Sequence, residues 1–203
     1  HVMEILQGCG IHSFVGNVHH FANQIVQYLQ NQWSETEVAI SDETDALLET
    51  GGAIKKAQPL LGNESFLIHN VDILSNADVM ALMQLHHQQK AAATLLVSQR
   101  KSSRYLLFDE QMRLKAWTNT QTGQVKTPYK NLDISTLKPY AFSGIHGFSP
   151  VLFDAMQNYP DKFSIIDFYL DQCLNYPIYG YEQPGLKLLD VGKLDSLKQA
   201  ENF

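Results

Sequence analysis

Apolar residues recur at helical spacing in Val2-Met3-Glu4-Ile5-Leu6 and stop at Gly8-Cys9-Gly10, which predicts a short helix and a C-terminal break. Residues 11–18 read as a strand, with Gly16 as its weak point. Phe21, Ile25, Tyr28 and Leu29 mark one face of an amphipathic helix, and Val38-Ala39-Ile40 is a short strand. Gly51-Gly52 opens another helix, carrying Ile54, Ala57 and Leu60. Phe66-Leu67-Ile68-His69 is a short apolar run between turn signals, the pattern of a buried strand. It runs into Asn70-Val71-Asp72. Val79, Leu82, Met83 and Leu85 then place a helix over about 76–89, and residues 91–97 form a further strand.

Helices and strands alternating at this spacing imply crossover units. The expected class is α/β, a three-layer doubly wound and mostly parallel sheet. The pattern changes after residue 100. Tyr105-Leu106-Leu107-Phe108 and Leu114-Lys115-Ala116-Trp117 flank a polar turn and predict a hairpin. Residues 118–138 are polar and read as an excursion. A strand over 140–148, helices from Pro150 to Met156 and over 163–176, strands over 178–181 and 186–189, and a closing helix over 193–203 complete the pattern. At 203 residues a single domain over 1–203 is expected. It opens on a helix with no strand before it, so an upstream strand is expected and the domain reads as N-terminally incomplete.

Charge narrows the partners. The net charge of −6 argues against nucleic acid, and residues 1–54 hold no Lys or Arg beside seven Asp and Glu. No apolar run reaches the roughly 18 residues of a membrane span. No secretory signal precedes the first helix, and two cysteines far apart suit reduced thiols, so a cytoplasmic location is expected. No Gly-x-Gly-x-x-Gly follows a strand, which removes a nicotinamide dehydrogenase. Asp72 follows a strand end, where ligands gather in open α/β sheets, or it caps the next helix, as Ser75 also can. Asp190 follows a second apolar run and is either a functional carboxylate or a turn residue before Gly192. His19-His20 and His86-His87 lack metal-ligand spacing and read as structural. Lys55, Lys56, Arg100, Lys101 and Arg104 are candidate phosphate or rim cations.

Five stretches carry a family likeness: Asn17-Val18-His19-His20, Leu47-Leu48-Glu49-Thr50-Gly51-Gly52-Ala53-Ile54, Asn70-Val71-Asp72, Phe142-Ser143-Gly144-Ile145-His146 and Leu189-Asp190-Val191-Gly192-Lys193. Their order and spacing resemble the sugar-1-phosphate nucleotidyltransferases, or nucleoside-diphosphate-sugar pyrophosphorylases. The look is closest to bacterial mannose-1-phosphate guanylyltransferase and N-acetylmuramate-1-phosphate uridylyltransferase-like members. The resemblance implies transfer of a nucleoside monophosphate from a nucleoside triphosphate to a sugar 1-phosphate, with release of pyrophosphate. It implies that Asp72 and Asp190 are catalytic and hold Mg²⁺, a hard cation suited to carboxylates and phosphates. It also implies nucleotide contact at Gly51, Gly52 and Asn70, and sugar phosphate contact at Ser143, Gly144 and Asp167. Ser143 stands where many members carry Asn. The family's Gly-rich Thr-Arg loop has no match in the chain. The alternative reading is a non-catalytic nucleotide- or sugar-phosphate-binding module.

Overall fold

The structure is a computed structural model that describes residues 2–192; the helix expected over 193–203 lies outside them. The described residues gather into two compact units, residues 2–64 with 151–168 and residues 65–150 with 169–192.

The first unit contains α1 (Val2–Gly8), β1 (Ser13–Val18), α2 (Ala22–Gln32), β2 (Glu37–Asp42) and α3 (Glu49–Ala57). β1 and β2 pair in parallel with Ser13 opposite Glu37, a crossover unit of the kind the alternation predicts. α3 packs on both strands and buries Ile54 and Ala57. The stripe expected to be the packed face of α2 is exposed at Phe21, Ile25 and Tyr28, and Ala22 is the residue the helix buries. Downstream, α5 (Leu152–Met156) buries Leu152, Phe153 and Met156. The rings of Tyr159, Phe163 and Phe168 then meet with centroids 4.9 to 5.9 Å apart. This cluster fixes the turn that leads into α6 (Ile165–Gln172).

The second unit begins with β3 (Phe66–His69), β4 (Ile73–Ser75), α4 (Val79–Gln88) and β5 (Ala93–Ser98). It continues with β6 (Arg104–Phe108), β7 (Leu114–Asn119), β8 (Gln124–Lys126), β9 (Lys138–Phe148), β10 (Ile178–Glu182) and β11 (Leu188–Asp190). One sheet has the order β10-β5-β9-β6-β7-β8, with β3 also on β9. β10 runs parallel to β5, while β3 and β5 both oppose β9. The crossover strands β3, β5 and β10 therefore share one direction, and β9 runs against them. β6, β7 and β8 extend the sheet as an antiparallel meander, so part of the polar stretch 118–138 is strand. Side-chain pattern reports burial, not strand direction, and the sheet is mixed where a mostly parallel one is expected. β5 is mostly apolar because both its faces are covered: Ala93, Leu95, Leu96 and Val97 are buried, as is Thr94.

Two imidazoles sit in the core of this unit. His86 places Nδ1 3.0 Å from Thr94 Oγ1 and Nε2 2.9 Å from Ser149 Oγ. His146 is buried between the rings of Phe142 and Tyr169, and among the described residues neither ring nitrogen has a hydrogen-bond partner. Burial, then neighbouring His87, pushes the His86 pKa down from 6.5 to about 4. Burial, then His86, pushes His146 down to about 3. Both folded values lie below the unfolded one, so their neutral forms stabilise the fold above pH 6.5 and that stability is lost as pH falls toward about 4. Each histidine contributes a slope of about 1.4 kcal/mol per pH unit in that window. Urea unfolding at pH 7 and pH 5 should show this loss, and His146→Phe should shrink it by about half.

Candidate active site

β3 ends at His69, and the chain turns through Asn70, Val71 and Asp72 with the Ile73 N–H donating to the Asn70 carbonyl at 3.2 Å. The His69 pKa is lowered by burial, against the opposing effects of its bond to the Asn70 carbonyl and the Asp72 charge. β4 then pairs antiparallel with β11, which sets Asp190 opposite Ile73. The helix that follows is capped by neither Asp72 nor Ser75. Its cap is Asp78, whose carboxylate accepts from the Ala81 N–H at 2.9 Å.

This pairing brings Asp72 and Asp190 together. The Val191 N–H donates to the Asp72 carbonyl at 2.8 Å, and the Gly192 N–H to Asp190 Oδ1 at 3.0 Å. A Cβ on Gly192 would lie 3.1 Å from Asp190 Oδ1 and 3.2 Å from Asp72 Oδ2. The two oxygens are therefore no farther apart than the sum of those distances, and the missing side chain leaves a cradle between them. Both aspartates are exposed. Among the described residues no group of three or more His, Cys, Asp or Glu side chains is arranged for a metal. Two carboxylates beside open space suit Mg²⁺, which keeps several waters and takes further oxygens from phosphates.

Asn70 connects this turn to β9. Its N–H donates to the Gly144 carbonyl at 3.1 Å. Pairing of β9 to β5 jumps from Leu95 opposite His146 to Val97 opposite Phe142, a bulge that places Gly144 at φ +79°. A Cβ at Gly144 would also lie 2.8 Å from Asn70 Nδ2, so both backbone and space require glycine. Ser143 is buried and its hydroxyl donates to the Leu96 carbonyl at 2.6 Å. That hydroxyl braces the bulge, and Gly144 is the residue that adjoins Asn70.

Gly51, Gly52, Asp167, Lys55 and Lys56 fall in the first unit. Gly51 and Gly52 do not precede α3 but lie in its first turn, both buried. A Cβ on Gly51 would be 2.5 Å from the Phe163 ring, and one on Gly52 would be 2.0 Å from the Asp161 carbonyl oxygen. The Gly51 N–H donates to the Phe163 carbonyl at 3.0 Å, and the Phe163 N–H to the Leu48 carbonyl at 3.2 Å. The space these glycines open is filled by residues 161–163 of the same chain. Asp167 is exposed in the first turn of α6. Lys55 Nζ donates to the Tyr159 carbonyl at 2.6 Å, Lys56 to the Asp42 carbonyl, and Arg100 Nη2 to the Phe142 carbonyl at 3.0 Å.

Glu43 is the organising residue that sequence reasoning passed over. It is only 1% exposed. Its carboxylate accepts from the Asn17 side chain and, at 3.1 Å, from the Leu48 N–H, while His19 Nδ1 lies 2.6 Å from its carbonyl oxygen. Glu43 thus joins the end of β1 to the start of α3, with Asn17 and His19 bonded to it. In sequence it is one of several acidic residues in a connection. Its only signal is that two of the matched stretches flank it.

Comparison with known proteins agrees with the motif resemblance. The chain is 35% identical over 75 residues to an N-acetylmuramate alpha-1-phosphate uridylyltransferase of Caulobacter vibrioides, covering 36% of this chain and 31% of the relative. It is 27% identical over 115 residues to a probable glucose-1-phosphate cytidylyltransferase of Bacillus subtilis, covering 47% of this chain and 45% of the relative. The matched part thus spans less than half the length of either relative. The crystal structure of HddC from Yersinia pseudotuberculosis complexed with GMP-PN superimposes with a TM-score of 0.72 at 18% identity, over 98% of this chain and 81% of that one. The crystal structure of a putative glucose-1-phosphate thymidylyltransferase from Bacillus anthracis superimposes with a TM-score of 0.78 at 15% identity, over 100% of this chain and 80% of that one, so the chain shares its mixed α/β fold with these solved structures. No family model matches the chain.

Proposed function

We propose that this protein transfers a nucleoside monophosphate from a nucleoside triphosphate to a sugar 1-phosphate. The convergence of Asp72 and Asp190 on the Gly192 cradle carries this reading, and the activities named for the two relatives support it. In the reaction a phosphate oxygen of the sugar 1-phosphate bonds to the α-phosphorus. The bond from that phosphorus to the β-phosphate bridge breaks, and pyrophosphate leaves with the electron pair. No protein nucleophile is needed.

Asp72 and Asp190 would hold Mg²⁺. Bound there, the ion supplies positive charge beside the phosphates as charge develops on them. The chain's own contribution is positional. β4–β11 pairing sets the two carboxylates side by side, the Gly192 N–H orients the Asp190 carboxylate, and the Asn70–Gly144 contact ties the turn to the sheet. Gly144, with no side chain, is the sugar phosphate candidate on β9, and Asn70 the nucleotide candidate beside it. Gly51 and Gly52 enter this reading through the packing of residues 161–163.

The test is pyrophosphate release by the full-length protein with sugar 1-phosphates and nucleoside triphosphates, with Mg²⁺ and with chelator. Gly192→Ala sharpens it. A methyl in the cradle forces the carboxylate oxygens apart by a few tenths of an ångström, and disturbed support of metal ligands costs about 10- to 100-fold in metal affinity. The Mg²⁺ concentration for half-maximal rate should rise by about tenfold or more, with Mn²⁺ binding read by electron paramagnetic resonance weakening in parallel. Release that survives chelation unchanged would overturn the proposal.

A further inference from the structure

A polar pocket of about 420 Å³ opens at the carboxyl ends of the parallel pair β5 and β10. This is the edge where ligands bind in α/β sheets. Glu182, the last residue of β10, is held at both oxygens. Oε1 accepts from Gln99 Nε2 at 2.9 Å, and Oε2 accepts from the Tyr140 hydroxyl at 2.8 Å. A carboxylate offers about four lone-pair directions, so an oriented Glu182 retains acceptor capacity toward the pocket. Arg100 lines the same pocket, and its bond to the Phe142 carbonyl fixes a guanidinium that carries five donors.

Gln183 and Gly185, which also line the pocket, are held by residues outside it. Asn76 Nδ2 donates to the Gly185 carbonyl at 3.1 Å and its Oδ1 accepts from the Lys187 N–H at 2.7 Å, while Gln183 Oε1 accepts from the Asp78 N–H at 2.7 Å. Leu188 completes the lining. Leu188 stands on β11 two residues before Asp190, and alternate residues of a strand share a face. The lining thus includes the first residue of the strand that ends in Asp190. Its lining brings together a carboxylate, a guanidinium, two side-chain amides and apolar residues. That mixture suits a ring bearing several hydroxyls.

We propose that this pocket holds the hydroxylated ring of the acceptor, and that Glu182, Gln99 and Arg100 select its hydroxyl pattern. The inference rests on the nucleotidyl transfer proposed above. With the full-length protein, Glu182→Gln and Gln99→Ala should raise KM for glucose 1-phosphate or N-acetylmuramate 1-phosphate by about ten- to a hundredfold, the worth of a hydrogen bond to a charged group. KM for the nucleoside triphosphate should stay within about twofold, and the preference between the two acceptors should change. A rise in the triphosphate KM alone, or no change in either KM for both variants, would overturn the assignment. Should Glu182→Gln fail to fold, Gln99→Ala carries the test. Should the unaltered protein release no pyrophosphate, the transfer reading fails. The pocket is then judged by amide shifts on titration with glucose 1-phosphate: movement at Gln99, Arg100 and Glu182 upholds it, and no movement there rejects it.

Discussion

Replacing Asp72 by Asn in the full-length protein should lower pyrophosphate release by about 10² to 10³-fold, the range seen when one preorganised electrostatic group is lost. The substitution keeps the shape of the side chain and leaves untouched the backbone bond from the Val191 N–H to the Asp72 carbonyl. What it removes is charge. Asp72 is exposed, so folding should change by less than about 0.5 kcal/mol. Without metal the variant should melt slightly higher, because two neighbouring carboxylates no longer repel each other. The rise in melting temperature that Mg²⁺ gives the unaltered protein should vanish in the variant. Turnover within about twofold of the unaltered protein would exclude Asp72 from the chemistry. A melting temperature several degrees lower would instead make it a structural residue.

Gly52→Ala should destabilise the first unit by about 3 kcal/mol or more, near the upper end of overpacking costs. Helix propensity works the other way, since Ala is favoured over Gly by about 1 kcal/mol inside a helix. Geometry decides the sign. The new Cβ would lie 2.0 Å from the Asp161 carbonyl oxygen, which is backbone and cannot swing aside like the tip of a long side chain. Gly8→Ala is the control. Among the described residues nothing outside its own helix lies within 4 Å of its Cβ position, and it should be neutral or slightly stabilising. Urea midpoints for the two variants measure both effects. Equal midpoints would mean that residues 161–163 do not pack against α3 as described.

The parts of the fold legible in the sequence are those where burial follows local pattern. β5 reads as a strand because every one of its residues from Ala93 to Val97 is buried, and β1 and β2 read correctly despite Gly16. The direction of β9 was not legible, since period-two alternation is identical for either orientation. Nor was β8, a three-residue strand with two exposed positions that makes few demands on composition. Residues 73–75 separate the Asp72 turn from its helix as β4, and three residues are too few to show a period. That short strand matters most to the site, for it is what pairs Asp190 with Ile73. The aspartates themselves were visible as carboxylates after apolar runs. Glu43 was hidden because a buried, fully bonded carboxylate and a solvated one look alike in an acidic stretch. The Gly51-Gly52 pair was visible as a close approach, but what approaches is the chain's own Asp161–Phe163 turn, and nothing local to residue 51 announces a partner more than a hundred positions away.

Paramagnetic broadening tests the central claim most directly. Mn²⁺ titrated into isotope-labelled protein should broaden the amide resonances of Asp72, Val191 and Gly192 first, and the broadening should be lost in Asp72→Asn and in Asp190→Asn. Broadening that begins instead along the acidic stretch from Asp42 to Glu49, or that persists in both variants, would contradict a cation site built from these two aspartates.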